Sequence, residues 1–205
     1  MSETTSNVVL GDSIELMTEF GTLTVQHVLC RTTEGVIITT GMPFPDPIPV
    51  RVQSSCLFSE SLLAKDCDCA SQLHESLKII AREGGIVIYL YEEGRGAGLK
   101  HKIAAISLQQ RHHIDTGTAF SMLSLPSDLR DHSMAAKILN TIVPGCRIDL
   151  LTNNPRKMEL LQSCGVHVVR KRPLICCTTP EVAKYLEEKV RVLQHEIPDD
   201  KILAS

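Results

Sequence analysis

Three cysteines fall close together as C-x10-C-x-C: Cys56, Cys67 and Cys69, the last two inside KDCDCAS. Three soft thiolates at that separation suit Zn²⁺. A structural zinc normally takes four protein ligands, so a triad with no fourth cysteine beside it reads as an open, catalytic site; His74 as fourth ligand is the alternative. Buried thiols without any metal are the plainer reading. Three thiolates around a divalent ion leave a net negative complex and a weak Lewis acid, so hydrolysis there requires a nearby base or charge. Cys30, Cys146, Cys164, Cys176 and Cys177 show no such spacing and read as core or incidental thiols.

Three further segments carry chemistry suited to a phosphorylated ligand. LYEEGRGAGLK passes from an apolar run through alternating glycines into a helical pattern, which lets backbone N–H groups face an anion. Any strand-to-helix turn needs glycine, so the informative residue is Arg95, whose guanidinium can grip a phosphate with two parallel bonds. LLTNNPRK places Thr152 and the amides near Pro155 at the carboxyl end of a strand, where open α/β sheets bind ligands, with Lys157 on the first helical turn, although Asn154 is equally explained as a helix cap. In LPSDLRDH, Asp128 and Arg130 are two apart and share a face if the segment is extended. The plainer reading of that pair is a surface ion pair at an acidic helix start.

The elements that must position these residues follow from patterning. Residues 21–56 hold short apolar runs separated by Thr, Gly and Pro, so this part is β-rich, with PFPDPIP as a stiff connection. From Gln72 helix and strand alternate: a helix in QLHESLKIIAREG, a buried strand in GIVIYLY, a helix over about 98–111, a loop through 124, and a helix over about 129–141. A second buried strand, CRIDLLT, runs into a helix capped by Asn154, begun by Pro155 and ended by Gly165. VHVVRK is a further strand, PEVAKYLEEKVRVLQHE a last helix, and the tail after Pro198 frays. The fold class expected is α/β: one compact domain with a mixed sheet, β-rich at its N-terminal end. Two small subdomains are the other arrangement that 205 residues permit.

Composition narrows the function. The chain is 43% apolar, which excludes low-complexity disorder, and 21 basic against 24 acidic residues argue against broad binding to nucleic acid or a membrane surface. No apolar stretch approaches the ~18 residues of a membrane span, and MSETTSNVVLGDS lacks the regions of a signal peptide. The expectation is a soluble, cytoplasmic protein.

Taken in order, RVQSSC, DCDCASQL, EEGRGAGL, DLRD and LLTNNPRK resemble GTP cyclohydrolase II, the zinc enzyme that opens the guanine ring at the start of riboflavin synthesis; the likeness covers roughly residues 20–190. The resemblance implies a domain over 20–195, with 1–19 as an N-terminal segment and 196–205 as a flexible tail. It implies a homodimer, one catalytic Zn²⁺ per chain on Cys56, Cys67 and Cys69, and attack of the metal's water on guanine C8. It implies substrate contacts from Arg51, Gln72, Glu93, Gly94, Arg95, Thr116, Thr152 and Lys157. Glu93 can accept from the guanine N1–H and amine edge, Gln72 offers an amide, and Arg95 and Lys157 suit phosphates. Asp128 and Arg130 match the family pair that releases pyrophosphate. With a guanidinium pKa above 12, charge stabilisation at the α-phosphate is expected of Arg130 rather than covalent attack. Mg²⁺ accompanies the triphosphate in this family.

The chain departs from the family in two places. RVHSEC is usual before the first zinc ligand; here RVQSSC puts Gln53 for His and Ser55 for Glu. The helix after the glycine loop usually reads KIRAYxLQ; here KIAAISLQ puts Ile106 where a tyrosine hydroxyl is expected. Ring opening needs the metal's water, whereas removal of the resulting formyl group is a second hydrolysis that can depend on other donors. Three alternatives to the ordinary reaction follow: a paralogue that stops at the formamidopyrimidine nucleotide, one that uses another nucleotide, and a non-catalytic nucleotide-binding zinc module.

Overall fold

The computed structural model describes residues 8–174, which hold seven strands and six helices. The chain segregates into two compact units, each treated separately below. The first comprises residues 8–53, Ser71–Tyr91 and 132–174; the second comprises Ser54–Ala70 and Glu92–Asp131.

Unit 1 is built on the sheet. Strands β1 (Val8–Thr18), β2 (Gly21–Cys30), β3 (Thr33–Thr39), β4 (Ile48–Ser54), β5 (Ile86–Leu90), β6 (Arg147–Leu151) and β7 (His167–Arg172) lie in the order β1-β2-β3-β5-β4-β6-β7. The β1-β2, β2-β3 and β3-β5 pairs are antiparallel, whereas β4-β6 and β6-β7 are parallel. The sheet is therefore mixed, as expected. β5 and β6 are short continuous apolar runs because both faces are covered: Ile86, Ile88, Leu90, Ile148 and Leu150 are all essentially inaccessible. Helix α5 (Ser133–Ile142) contributes Met134, Ala135, Ile138 and Leu139 to that core, and α6 (Pro155–Ser163) contributes Leu161. Each fully buried Ile or Leu contributes roughly 1.5–3 kcal/mol.

Helix α2 (Cys69–Glu83) runs its body through this unit and stops where Gly84 and Gly85 take positive φ. Beyond it, a partly exposed ion cluster around the buried Asp149 pins the far edge of the sheet. Asp149, 1% exposed, accepts two bonds from Arg170, and Glu83 accepts two from Arg172 at 2.6 and 2.8 Å.

Unit 2 carries α1 (Leu57–Glu60) together with α3 (Gly98–His112) and α4 (Thr116–Met122), the last two packed around Ala105, Ala119 and Phe120. Two differences from the expected elements matter here. Residues 116–122, expected as loop, are helical because Asp115 caps them, its side chain accepting from the Thr118 N–H at 2.7 Å. The helix expected from 129 begins only at Ser133. The Leu129 N–H donates instead to the Arg95 carbonyl and the Arg130 N–H to Asp128 Oδ1, which keeps 128–131 out of the helix.

Strand β1 starts at Val8, inside the segment expected to precede the domain, and pairs along β2 from Val8↔Cys30 to Thr18↔Gly21. The last helix expected, within 180–196, and the tail lie outside the described residues, as do Cys176 and Cys177. No helix among the described residues is long and apolar enough to cross a membrane.

Candidate active site

Within unit 2 the cysteine triad is assembled by two short-range devices. Cys56 caps α1, and its N–H donates to the Glu60 carboxylate at 3.1 Å. Ser59, 3% exposed, then accepts from the Ala70 N–H at 3.1 Å, tying α1 to the start of α2 and folding the Cys67–Cys69 turn back towards Cys56. The three Sγ atoms lie within 4.8 Å of one another, with Cys56 and Cys67 3.8 Å apart. Tetrahedral zinc with sulfur ligands at ~2.3 Å requires ligands roughly 3.8 Å apart, so the triad fits that ion. Among the described residues it is the one cluster of metal-capable side chains. His74 stands edge-on to Phe20 and pairs loosely with Glu19.

The thiols share hydrogen bonds. Hydrogen bonds from Cys67 and Cys69 hold Cys56 far below the usual thiol range, against the effect of burial, and the Lys102 charge adds to the fall. The bond to Cys56 correspondingly pushes Cys67 up. Lys102, the first residue of KIAAISLQ, carries no role that the sequence assigns. Its ammonium, on α3, lies 3.2 Å from Cys56 Sγ and 2.6 Å from Glu93 Oε1. Burial alone would lower its pKa, but the bonds to Glu93 and Cys56 outweigh that and raise it.

Glu93 opens the glycine loop. Its Oε2 accepts from the Leu57 N–H at 2.8 Å, and its Oε1 from Lys102 and, at 3.3 Å, from the Gly94 N–H. Gly94, Arg95, Gly96 and Gly98 all have φ between +57° and +83°. Arg95 is the exception in that series, a non-glycine residue held in the left-handed region, which usually marks a site where geometry matters more than local comfort. Its guanidinium lies over the Phe120 ring at 5.7 Å and donates to the Ser127 carbonyl at 3.3 Å.

The same loop holds the segment that carries Asp128 and Arg130. Arg130 Nε and Nη2 donate to the two oxygens of Asp128 at 2.9 and 2.5 Å, a fork geometry that fixes the guanidinium plane. Thr116 begins α4, where its hydroxyl accepts from Gln109 Nε2 on α3. Ile106 is half-buried on α3, four residues after Lys102 and so on the same face. Ser55 precedes the first cysteine and is half-buried.

Within unit 1 a second polar group gathers. Arg51, 7% exposed, donates from Nε and Nη2 to Gln53 Oε1, from Nη2 to Gln72 Oε1 at 2.6 Å, and from Nη1 to the Leu151 carbonyl. Arg51 and Gln53 share a strand face by the two-residue period. Gln53, read from sequence only as a departure, is thus the acceptor that orients Arg51. Lys157 is buried and donates to the Val52 carbonyl at 3.0 Å, and Thr152 accepts from the Asn154 N–H at 3.1 Å. Asn154 caps α6 as expected, accepting from Arg156 N.

The comparisons with known proteins bear on this arrangement. The model of the GTP cyclohydrolase II family matches residues 11–173. The chain belongs to the GTP cyclohydrolase II family. It is 38% identical over 200 residues to "GTP cyclohydrolase-2" of Neisseria meningitidis serogroup C, covering 95% of this chain and 98% of that protein. To "Riboflavin biosynthesis protein RibBA" of Thermotoga maritima it is 41% identical over 157 residues, 77% of this chain and 40% of that protein. A similar protein of Bacillus cereus, again RibBA, is 39% identical over 190 residues, 89% of this chain and 46% of that one. The chain thus spans less than half the length of those RibBA relatives. Riboflavin biosynthesis is named in the RibBA relatives, and the GTP cyclohydrolase activity in the Neisseria one.

Proposed function

We propose that the protein catalyses zinc-dependent hydrolytic opening of the guanine imidazole ring of GTP at C8 with release of pyrophosphate, giving a diaminopyrimidine ribonucleotide and formate. The observation that carries this reading is the thiol triad, at zinc-compatible spacing within a matched family domain and linked to Glu93 through one ammonium. Zinc on Cys56, Cys67 and Cys69 would supply Lewis acidity and an activated water. Glu93 is held by two backbone N–H groups and Lys102, and a carboxylate with about four acceptor sites keeps capacity for the guanine N1–H and amine. Arg130, its plane fixed by Asp128, stabilises charge on the α-phosphate as pyrophosphate departs; a guanidinium that stays protonated does this better than it attacks. Arg95 and Lys157 serve the phosphates, with Mg²⁺ arriving on the nucleotide. Arg51, Gln72, Gly94, Thr116 and Thr152 keep the substrate roles that the family resemblance implies, and homodimerisation and a cytoplasmic setting belong to the same proposal.

A second reading is favoured by one observation: hydrocarbon at Ile106 on the Lys102 face of α3, where the family carries a phenol. In that reading ring opening proceeds and removal of the formyl group is slowed, since a single positioned donor is worth ~10²–10³ in rate. Mass spectrometry of zinc-loaded protein incubated with GTP and Mg²⁺, with formate and pyrophosphate assayed in parallel, separates the two. One formate per turnover supports the complete reaction. A formyl-retaining product whose deformylation is restored by Ile106→Tyr supports the second reading. GTP bound without any product overturns both in favour of a binding module.

A further inference from the structure

A divalent ion on three thiolates carries a net charge of about −1, which weakens it as a Lewis acid and repels an anionic substrate. Something positive has to stand against it. In unit 2 the Lys102 ammonium is enclosed on three sides: Cys56 Sγ at 3.2 Å, Glu93 Oε1 at 2.6 Å and the Phe58 ring centroid at 4.5 Å. The side chain is 18% exposed and Glu93 15%, so solvent screens the contacts weakly. An ammonium has three hydrogens and no acceptor, so it can serve thiolate, carboxylate and ring face together. Both anchors come from segments that bring chemistry to the site, the cap of α1 and the start of the glycine loop.

We infer that Lys102 is a positioning residue that couples the metal centre to the guanine-binding carboxylate. Its charge offsets the excess negative charge of the three-thiolate centre, and its bonds hold Cys56 Sγ and the Glu93 carboxylate in one fixed relation. This rests on the proposed zinc function but assigns a role to a residue outside the matched catalytic and substrate-contact set. A plain Glu93–Lys102 ion pair would account for the 2.6 Å contact alone. It leaves unexplained why the same ammonium also reaches a metal-binding sulfur.

The test uses the full chain, its Lys102→Gln and Lys102→Arg variants, and metal readouts independent of turnover. Zinc affinity is measured by chelator competition, and Co²⁺-loaded protein reports the thiolate-to-metal charge-transfer band. Removing the charge near a ligating sulfur should weaken zinc retention by ~10–100-fold, the usual consequence of losing a partner that orients a ligand. The band should move to lower energy, because a sulfur relieved of a hydrogen-bonding cation gives up electron density more readily. KM for GTP at saturating zinc should rise as Glu93 loses its anchor. Lys102→Arg, which keeps the charge, should recover most of the band position. If Lys102→Gln melts at a lower temperature yet keeps wild-type zinc affinity and an unmoved band, Lys102 is a structural ion pair and the inference fails while the zinc reading stands. A wild-type chain that takes up neither zinc nor Co²⁺ overturns both.

Discussion

Gly96→Ala tests how the glycine loop governs the Asp128–Arg130 pair. Gly96 has φ +82°, and a Cβ there would sit 2.9 Å from the Leu129 carbonyl carbon, 3.0 Å from Arg130 N and 3.1 Å from Leu129 O. All three are backbone atoms that cannot swing aside. Gly98 is the internal control, with φ +83° and nothing within 4 Å of its Cβ position. Each alanine costs ~1–2 kcal/mol for occupying the left-handed region. Only Gly96→Ala adds the overlap, ~1–3 kcal/mol for forcing a methyl into a filled space. At roughly 2–4 °C per kcal/mol for a chain of this size, Gly96→Ala should melt several degrees below Gly98→Ala. Function should separate further. The crowded atoms form the Leu129–Arg130 peptide, next to the Leu129 N–H that donates to the Arg95 carbonyl at 2.9 Å, so the overlap is relieved by moving the segment that aims Arg130. Thermal melts followed by circular dichroism, with pyrophosphate release from GTP measured where both variants are fully folded, provide the readout. Equal melting of the two variants, or wild-type pyrophosphate release by Gly96→Ala, would refute the reasoning.

Two other predictions address the metal and the sheet edge. Cys67→Ser should lose zinc and GTP turnover while staying folded, because the Ser59–Ala70 bond and the Ala105, Ala119 and Phe120 cluster do not involve the thiol; zinc analysis beside a melting curve checks it, and general unfolding would make the site structural. In unit 1 the Arg172 guanidinium lowers the Glu83 carboxyl from its ordinary 4.5 to about 2. A carboxyl depressed in the folded state stabilises fully above its unfolded pKa, so this contribution drains away as pH falls from about 4.5 towards about 2. The full shift would be worth ~3 kcal/mol, and with Glu83 partly exposed ~1–2 kcal/mol is expected. Denaturant titrations should therefore find Glu83→Gln less stable than wild type at pH 7 and equal to it near pH 2; a gap that ignores pH would count against the pair.

How much of this was legible in the residues depends on the range of the forces involved. The α6 boundary was readable because Asn154, Pro155 and Gly165 act within a turn of where they stand, and the helix indeed starts at Pro155. The buried strands β5 and β6 were readable because covering both faces demands a continuous apolar run. Helix α4 was not, since TGTAFSM looks like a loop by composition and becomes helical through the Asp115 cap and the burial of Ala119 and Phe120. The late start of α5 was equally hidden, because the competing partner of the Leu129 amide lies 34 positions earlier in the chain. Strand β1 escaped notice because most of its residues are exposed, which removes the alternation that announces a strand. The site divides the same way. Cysteine spacing and the Asp128–Arg130 interval are local signals, whereas Lys102, first residue of KIAAISLQ, gains its meaning from Cys56 and Glu93 reaching it from other segments. What the sequence did contain was the electrostatic need that Lys102 meets.

The Arg51–Gln53 contact has a consequence for how this protein responds to acidity. An amide oxygen takes both guanidinium N–H groups at 3.0 and 2.7 Å and has no proton to gain or lose between pH 5 and 8. An imidazole at the same place, which the family resemblance implies, would be a titratable group whose protonation both burial and the Arg51 charge oppose. With glutamine there, Arg51 keeps one orientation across the physiological range. The glutamine thus gives Arg51 an acceptor that protonation cannot take away.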